Sequence, residues 1–360
     1  MHPWSWWAWA LGVAAAVSMT TSPLLLALVA LAVTAVVLLR RTDAPWARSI
    51  GAYFALAGII IGIRLFFQVL VGAGTGSTTL FTLPEVRLPE WAAGIRLGGP
   101  VNAEGLVYAV YEALRLGVML LCLGAANALA NPRTALRSVP AALYEASVAA
   151  VIALSVAPQL VQSVQRVRRA RRLRGGAATG WQAVKAVVIP VLADAIDRSL
   201  ALATSMEARG FGRTRDQGRP SPLLTIALLA STLAATVGVF LLLGAPATAA
   251  GGAALVAAGV AGTVAGLRAS GRRLSVTRYR PHPWRARDTG LALSGLAALA
   301  VAVVANSPAA PGAFDAFHPS IDPLAWPELH PLMLVVALLV ATPLALAPAP
   351  STVRAHGRTA

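Results

Sequence analysis

Residues 141–175 read AALYEASVAAVIALSVAPQLVQSVQRVRRARRLRG. The first part, 141–159, is apolar enough to pass for a membrane-spanning helix. The second part carries Arg166, Arg168, Arg169, Arg171, Arg172 and Arg174. If 141–159 crossed a bilayer, that basic run would emerge outside together with Arg209, Arg213 and Arg215, against the rule that basic loops stay on the cytoplasmic face. Glu145 and Pro158 also burden the apolar part. The cheaper arrangement is a helix lying along, or dipping into, the inner face and continuing as a cytoplasmic arm. The rest of the chain follows from this reading.

The surrounding composition requires a membrane. Of 360 residues 57% are hydrophobic and only 12% charged, with mean hydropathy +0.69, against about 25% charged residues in soluble domains. Apolar candidates lie near 4–20, 23–39, 49–72, 105–130, 222–243, 247–267, 289–306 and 331–348, several close to the ~20 residues a span needs. Arg40, Arg41 and Arg48 place the second loop inside, and Arg133 and Arg137 return the chain there after the fourth span. The loop 74–104 holds Glu85, Glu90 and Glu104 against Arg87 and Arg96, and reads as external. All basic residues except Arg64, Arg87, Arg96 and Arg115 then fall on the cytoplasmic side. The expected fold is an all-α polytopic membrane protein of about eight spans with both termini cytoplasmic. It divides along the chain into a four-span region 1–130, a cytoplasmic coupling-helix insert 131–221, and a four-span region 222–360. Met1-His2-Pro3-Trp4 lacks a basic leader, so the first apolar stretch is expected to be retained.

The net charge of +16 is almost wholly arginine. A G+C-rich coding bias explains much of that excess, so the positions matter more than the total. The insert opens at Asn131-Pro132, a helix start with proline in the first turn. A long helix is expected to stop at Gly175-Gly176, and a second to run from Trp181 to Ala208 and stop at Gly210. Its residues Val184, Val188, Val191, Leu192, Ile196 and Leu200 recur at helical spacing, with Pro190 as a kink. Each helix thus ends in an arginine followed by glycine: Leu173-Arg174-Gly175 and Ala208-Arg209-Gly210. Taken singly, such triplets also read as ordinary helix C-caps with a cation at the negative end of the dipole.

With its Asn131-Pro132 start, its arginine-rich helix ending Arg171-Arg172-Leu173-Arg174-Gly175, and the run Ser205-Met206-Glu207-Ala208-Arg209-Gly210-Phe211-Gly212, the chain resembles the transmembrane T component of energy-coupling factor (ECF) transporters, the CbiQ-like family. Arg278-Tyr279-Arg280-Pro281 through Asp288 is also similar to actinobacterial members. The second triplet matches the family's Ala-Arg-Gly signature, whereas Leu173 stands where an alanine is usual. The resemblance implies that Leu173, Arg174, Gly175, Ala208, Arg209 and Gly210 dock into grooves of two cytoplasmic ATPase subunits. It further implies that a separate substrate-binding membrane subunit captures a vitamin or a transition-metal ion.

Arg64, Glu112 and Arg115 fall within spans and form a candidate intramembrane ion cluster, since such groups pair inside a bundle or mark a polar path. Gly58/Gly62 and Gly262/Gly266 are small-xxx-small patterns suited to close helix packing. The arginine run also suits anionic membrane lipid, and no module suggests nucleic acid. The final external loop carries Asp315, His318, Asp322, Glu328 and His330, but its prolines at 311, 319, 323, 327 and 331 imply an irregular loop and no metal site is expected. The single Cys122 excludes an intrachain disulfide. No Walker A motif surrounds Lys185, the only lysine, and no hydrolase or metalloprotease motif occurs. The chain therefore reads as a subunit without catalysis or cofactor of its own. The alternative, a stand-alone secondary transporter or membrane enzyme, would need a polar midplane site.

Overall fold

A computed structural model describes residues 1–42, 50–71, 76–87, 96–139, 143–175, 180–211, 222–244, 248–272 and 283–348. The described elements are, in order, α1 (Pro3–Ser18), α2 (Pro23–Arg40), α3 (Ile50–Val71), β1 (Thr79–Arg87), β2 (Arg96–Asn102), α4 (Ala103–Leu129), α5 (Pro132–Arg137), α6 (Tyr144–Leu173), α7 (Gly180–Ala208), α8 (Pro222–Gly244), α9 (Ala249–Arg272), α10 (Ala286–Ala305), α11 (Ala313–Phe317), α12 (Pro331–Ala341) and α13 (Pro343–Leu346). The protein is all-α and polytopic, as the composition demands. The one addition among the described residues is an antiparallel hairpin, β1 with β2, inside the loop expected between the third and fourth spans.

Helix starts follow simple capping chemistry. His2 precedes Pro3, and its Nδ1 accepts the Trp4 N–H at 3.3 Å. The same device opens α12, where His330 Nδ1 accepts the Leu332 N–H at 3.2 Å ahead of Pro331. Asn131 Oδ1 accepts the Arg133 N–H at 3.0 Å and starts α5. In each case a side-chain acceptor satisfies one of the orphan N–H groups of a first turn, and proline fills a position that needs no donor.

Among the described residues seven helices are long and apolar enough to cross a membrane: α2, α3, α4, the stretch Ala146–Leu173 of α6, α8, Ala250–Gly271 of α9, and α10. Six of the eight expected spans are among them. The first, α1, has only 16 residues. The last breaks at Pro343 into α12 and α13, because proline supplies no N–H to continue the ladder. Helix α6 qualifies by length and composition, so its exclusion as a span rests on where its arginines would go. The loop before α12, expected to be external, is less irregular than its prolines imply. It contains α11, and the Phe317 carbonyl accepts from the backbone N–H groups of Thr21 and Ser22 and from Thr20 Oγ1.

The contacts group the chain into two units, Met1–Ala135 with His282–Ala360, and Leu136–Pro281. In the first unit α1 crosses α10 at a pair of glycines. A Cβ added at Gly12 would lie 2.6 Å from the Gly295 backbone, and one at Gly295 would lie 2.5 Å from the Trp9 carbonyl. Around this crossing Trp9, Val13, Leu25, Val29, Leu291, Phe317 and Met333 are fully buried. Close backbone approach gains the dispersion energy that joins helices in lipid, where burial of apolar surface drives little. Polar ties close the ends. His2 N–H donates to Asp288 Oδ1 at 2.6 Å, Asn306 Nδ2 to the Met19 carbonyl at 3.1 Å, and Arg40 to the Leu344 carbonyl. The start of α1 and the end of α13 therefore lie on one side of this unit, beside the start of α10 and the end of α2.

The second unit holds two helix pairs. Helices α8 and α9 pack through small residues: Ser231 Oγ and Thr263 Oγ1 are 3.0 Å apart, and a Cβ at Gly266 would meet Leu228 at 2.5 Å. This is the close packing expected for Gly262/Gly266. Gly58 and Gly62 differ, for a Cβ on either would meet nothing within 4 Å. The second pair, α6 with α7, carries the arginine motifs.

Candidate functional site

Three contacts set the register of α6 against α7. Arg171 Nη1 donates to the Ala183 carbonyl at 3.0 Å, Ser163 Oγ to Asp194 Oδ2 at 2.6 Å, and the Tyr144 and Phe211 rings lie with centroids 6.2 Å apart. As residue numbers fall along α6 they rise along α7, so the pair is antiparallel. The two motifs consequently sit at opposite ends of one assembly. Helices of 30 and 29 residues at 1.5 Å per residue separate them by roughly 40 Å.

Each helix stops where its glycine predicts. Arg174 caps α6, its N–H donating to Ala170 and Arg171, and Gly175 follows with φ +69°, its own N–H donating to Arg172 at 3.3 Å. At the end of α7, Gly210 has φ +75°. Its N–H donates to the Glu207 carbonyl at 2.8 Å, and the Phe211 N–H donates to Met206 at 2.9 Å. That pair of bonds is a Schellman cap, and its left-handed residue is normally glycine because a side chain there is strained. A Cβ at Gly175 or Gly210 would touch nothing within 4 Å, so backbone conformation alone requires glycine. Immediately before each turn the arginine is exposed, as are Leu173 and Ala208. Among the described residues neither the Arg174 nor the Arg209 guanidinium has an ion-pair partner.

A family model for CbiQ, described as cobalt transport protein, matches residues 5–221, more than half of the chain. The chain belongs to the CbiQ family. It is thus a multi-pass membrane component of a transport family. The match to CbiQ covers α1 to α7, including both arginine motifs, and ends just before α8. No curated protein matches the chain.

Sequence reasoning missed the residues that hold the CbiQ-matched helix pair together. Asp194 accepts from Ser163 on α6 and from both Nε and Nη2 of Arg198 on its own helix, at 3.0 and 2.8 Å. Ser163 is buried, midway along otherwise exposed surroundings. The Ser163 hydroxyl, the Arg198 fork and the Arg166 charge hold the Asp194 carboxyl below its ordinary value, against desolvation that pushes it up. The Asp194/Arg198 spacing of four was a visible signal for a helix-face ion pair, but Ser163 was not. On the other side of α7, Val184, Val188, Leu192, Ile196 and Leu200 form an exposed apolar stripe, and the helix buries no residue.

The intramembrane group divides. Arg115 Nη2 lies 2.5 Å from Glu112 Oε2, one turn away on α4, and Glu112 is buried. Arg64 on α3 is exposed and joins no ion pair among the described residues. Gly212, Arg213, Arg215 and Arg278 to Pro281 lie outside the described residues.

Proposed function

We propose that the chain is the transmembrane scaffold and coupling subunit of an ATP-driven, ECF-type micronutrient importer. Two cytoplasmic ATPase subunits bind the ends of the α6–α7 pair, one through Arg174 and the other through Arg209, and hydrolyse the ATP. Their motion is carried by the paired helices to a substrate-binding membrane subunit, which carries the cargo. The observation that carries this reading is the placement of two exposed arginines, without ion-pair partners among the described residues, at opposite ends of one antiparallel helix pair, roughly 40 Å apart, each followed by a left-handed glycine turn.

The chemistry suits docking. A guanidinium presents a planar fork that meets a carboxylate with two parallel hydrogen bonds. The turn after it takes the chain away, so the arginine and the last helical turn can enter a groove without a backbone following them. The Ser163–Asp194–Arg198 tie supports transmission, because a pair pinned near its middle moves as one body when its ends are pushed. The exposed stripe on α7 supplies an apolar side for a membrane subunit or lipid. On this reading the basic face of α6 lies at the inner surface of the cell membrane, the positive-inside rule sets both termini in the cytoplasm, and anionic lipid neutralises the outlying arginines.

Stoichiometry tests the reading. Co-expressed with its ATPases, the wild-type chain should purify with two ATPase subunits, measured by native mass spectrometry. Arg174→Ala or Arg209→Ala alone should leave one subunit bound and the other lost. Retention of both by each variant would overturn the assignment of one arginine to one ATPase.

A further inference from the structure

Arg64 is a cation with no ion-pair partner among the described residues. It lies on α3 between Ile50 and Val71, with the helix end seven residues, about 10 Å, beyond it. Charged side chains this deep in a span are costly and are found paired or lining polar paths. Arg64 nevertheless stands exposed.

Among the described residues, the carboxylates in the apolar helices of its own unit are engaged elsewhere. Their acidic residues are Glu104, Glu112 and Asp288. Glu112 is taken by Arg115 at 2.5 Å. Glu104 accepts from Ser77 Oγ and the Thr78 N–H at the mouth of α4, and Asp288 accepts from the backbone N–H groups of His2 and Arg285. Helices α8, α9 and α12 contain no acidic residue. The described apolar helices of its own unit thus offer Arg64 no counter-ion, which turns attention to a neighbouring molecule.

Helix α3 is also the apolar helix most in need of a neighbour in its unit. It buries only Ile50 and Ala57, while Phe67 and Val71, one and two turns from Arg64, are exposed. Gly58 and Gly62 face open space as well. A lipid phosphate fits poorly, because it lies beyond the helix end and Arg64 is two turns below it. A second copy inserted in the same orientation would set Arg64 against Arg64 at equal depth in a two-fold contact.

We infer that α3 docks a membrane-spanning helix of a different polypeptide that carries an aspartate or glutamate at the depth of Arg64. On the scaffold reading, on which this identification rests, that polypeptide is the substrate-binding membrane subunit. The ion pair would fix its depth and rotation, since a buried charged pair specifies register better than apolar contact.

The test is photocrosslinking in native membranes. The full chain carries p-benzoylphenylalanine in place of Phe67, and adducts are identified by mass spectrometry. The expected result is an adduct with a membrane protein bearing an intramembrane carboxylate. Arg64→Gln and Arg64→Asp should each cut it about tenfold or more, Arg64→Lys should keep it, and changing that carboxylate to lysine should restore it in the Arg64→Asp background. Equal membrane levels of each variant, read on blots, show that it still inserts. Adducts with lipid or with a second copy alone, or a protein adduct indifferent to all three substitutions, would overturn the inference. ATPase co-purification from the same membranes reports on the scaffold reading separately: ATPases retained with an adduct indifferent to Arg64 would remove this interface and leave the scaffold standing.

Discussion

Replacing Gly210 with alanine isolates the turn that presents Arg209. At φ +75° an L-residue is strained, and the left-handed conformation costs a non-glycine residue about 1–2 kcal/mol. Nothing lies within 4 Å of the added Cβ, so no steric clash adds to that cost and no packing gain offsets it. Two hydrogen bonds depend on the turn, Gly210 N–H to Glu207 and Phe211 N–H to Met206. If docking requires it, Gly210→Ala should weaken ATPase binding by the same 1–2 kcal/mol, a factor of about 5–30 in Kd. The fold of the spans should be untouched. Gly210→Asn should lose much less, because asparagine tolerates this conformation best after glycine. The assay is equilibrium binding of the purified ATPase subunit to the chain in nanodiscs, with circular dichroism confirming unchanged helix content. Unchanged Kd in Gly210→Ala, or an equal loss in Gly210→Asn, would refute the claim that a left-handed turn aims the arginine.

Three further expectations concern the scaffold. Asp194→Asn or Ser163→Ala should broaden the distance distribution between spin labels at Arg169→Cys and Ser205→Cys. Because the folded carboxyl is held below its ordinary value of 3.8, the tie's contribution is complete above that value and is lost as pH falls below it; broadening of the wild-type distances already near pH 6 would contradict the assignment. Gly295→Val should lower the melting temperature in detergent, with a cost of about 1–3 kcal/mol or more, because its side chain would enter the Trp9 backbone; an unchanged melting temperature would refute the close crossing of α1 and α10. A membrane-impermeant maleimide should label Trp326→Cys from outside intact cells and leave Leu173→Cys untouched until the membrane is opened. The reverse pattern would invert the proposed topology.

The features legible in the sequence are those that a one-dimensional pattern encodes. Glycine after arginine marked the ends of α6 and α7, and apolar runs marked the long helices. Charge counting argues for setting α6 apart from the spans, whereas length and hydropathy leave Ala146–Leu173 able to cross. What stayed hidden depends on register in space. Nothing in the order of residues says that Ser163 meets Asp194, since that bond follows from how far two helices slide along each other. Hydropathy likewise does not distinguish a lipid-facing position from a packed one, so Arg64, Glu112 and Arg115 read as one candidate cluster, of which Glu112 and Arg115 alone pair among the described residues. It cannot show that α10 to α13 complete the core around α1 and α2 while α8 and α9 pair with each other. The hairpin of β1 and β2 was missed because Gly98 and Gly99 weaken the alternation that marks a strand.

On the proposed function, Arg174 and Arg209 are the points where ATPase motion enters the chain. The direct measurement is substrate uptake and ATP hydrolysis by the assembled transporter in proteoliposomes, wild type against the double variant Arg174→Ala with Arg209→Ala, at matched amounts of inserted chain. Truncating one partner of a desolvated charge pair costs about 2–5 kcal/mol, so losing two should abolish uptake and assembly-dependent hydrolysis while insertion stays intact. Uptake by the double variant at the wild-type rate would contradict it.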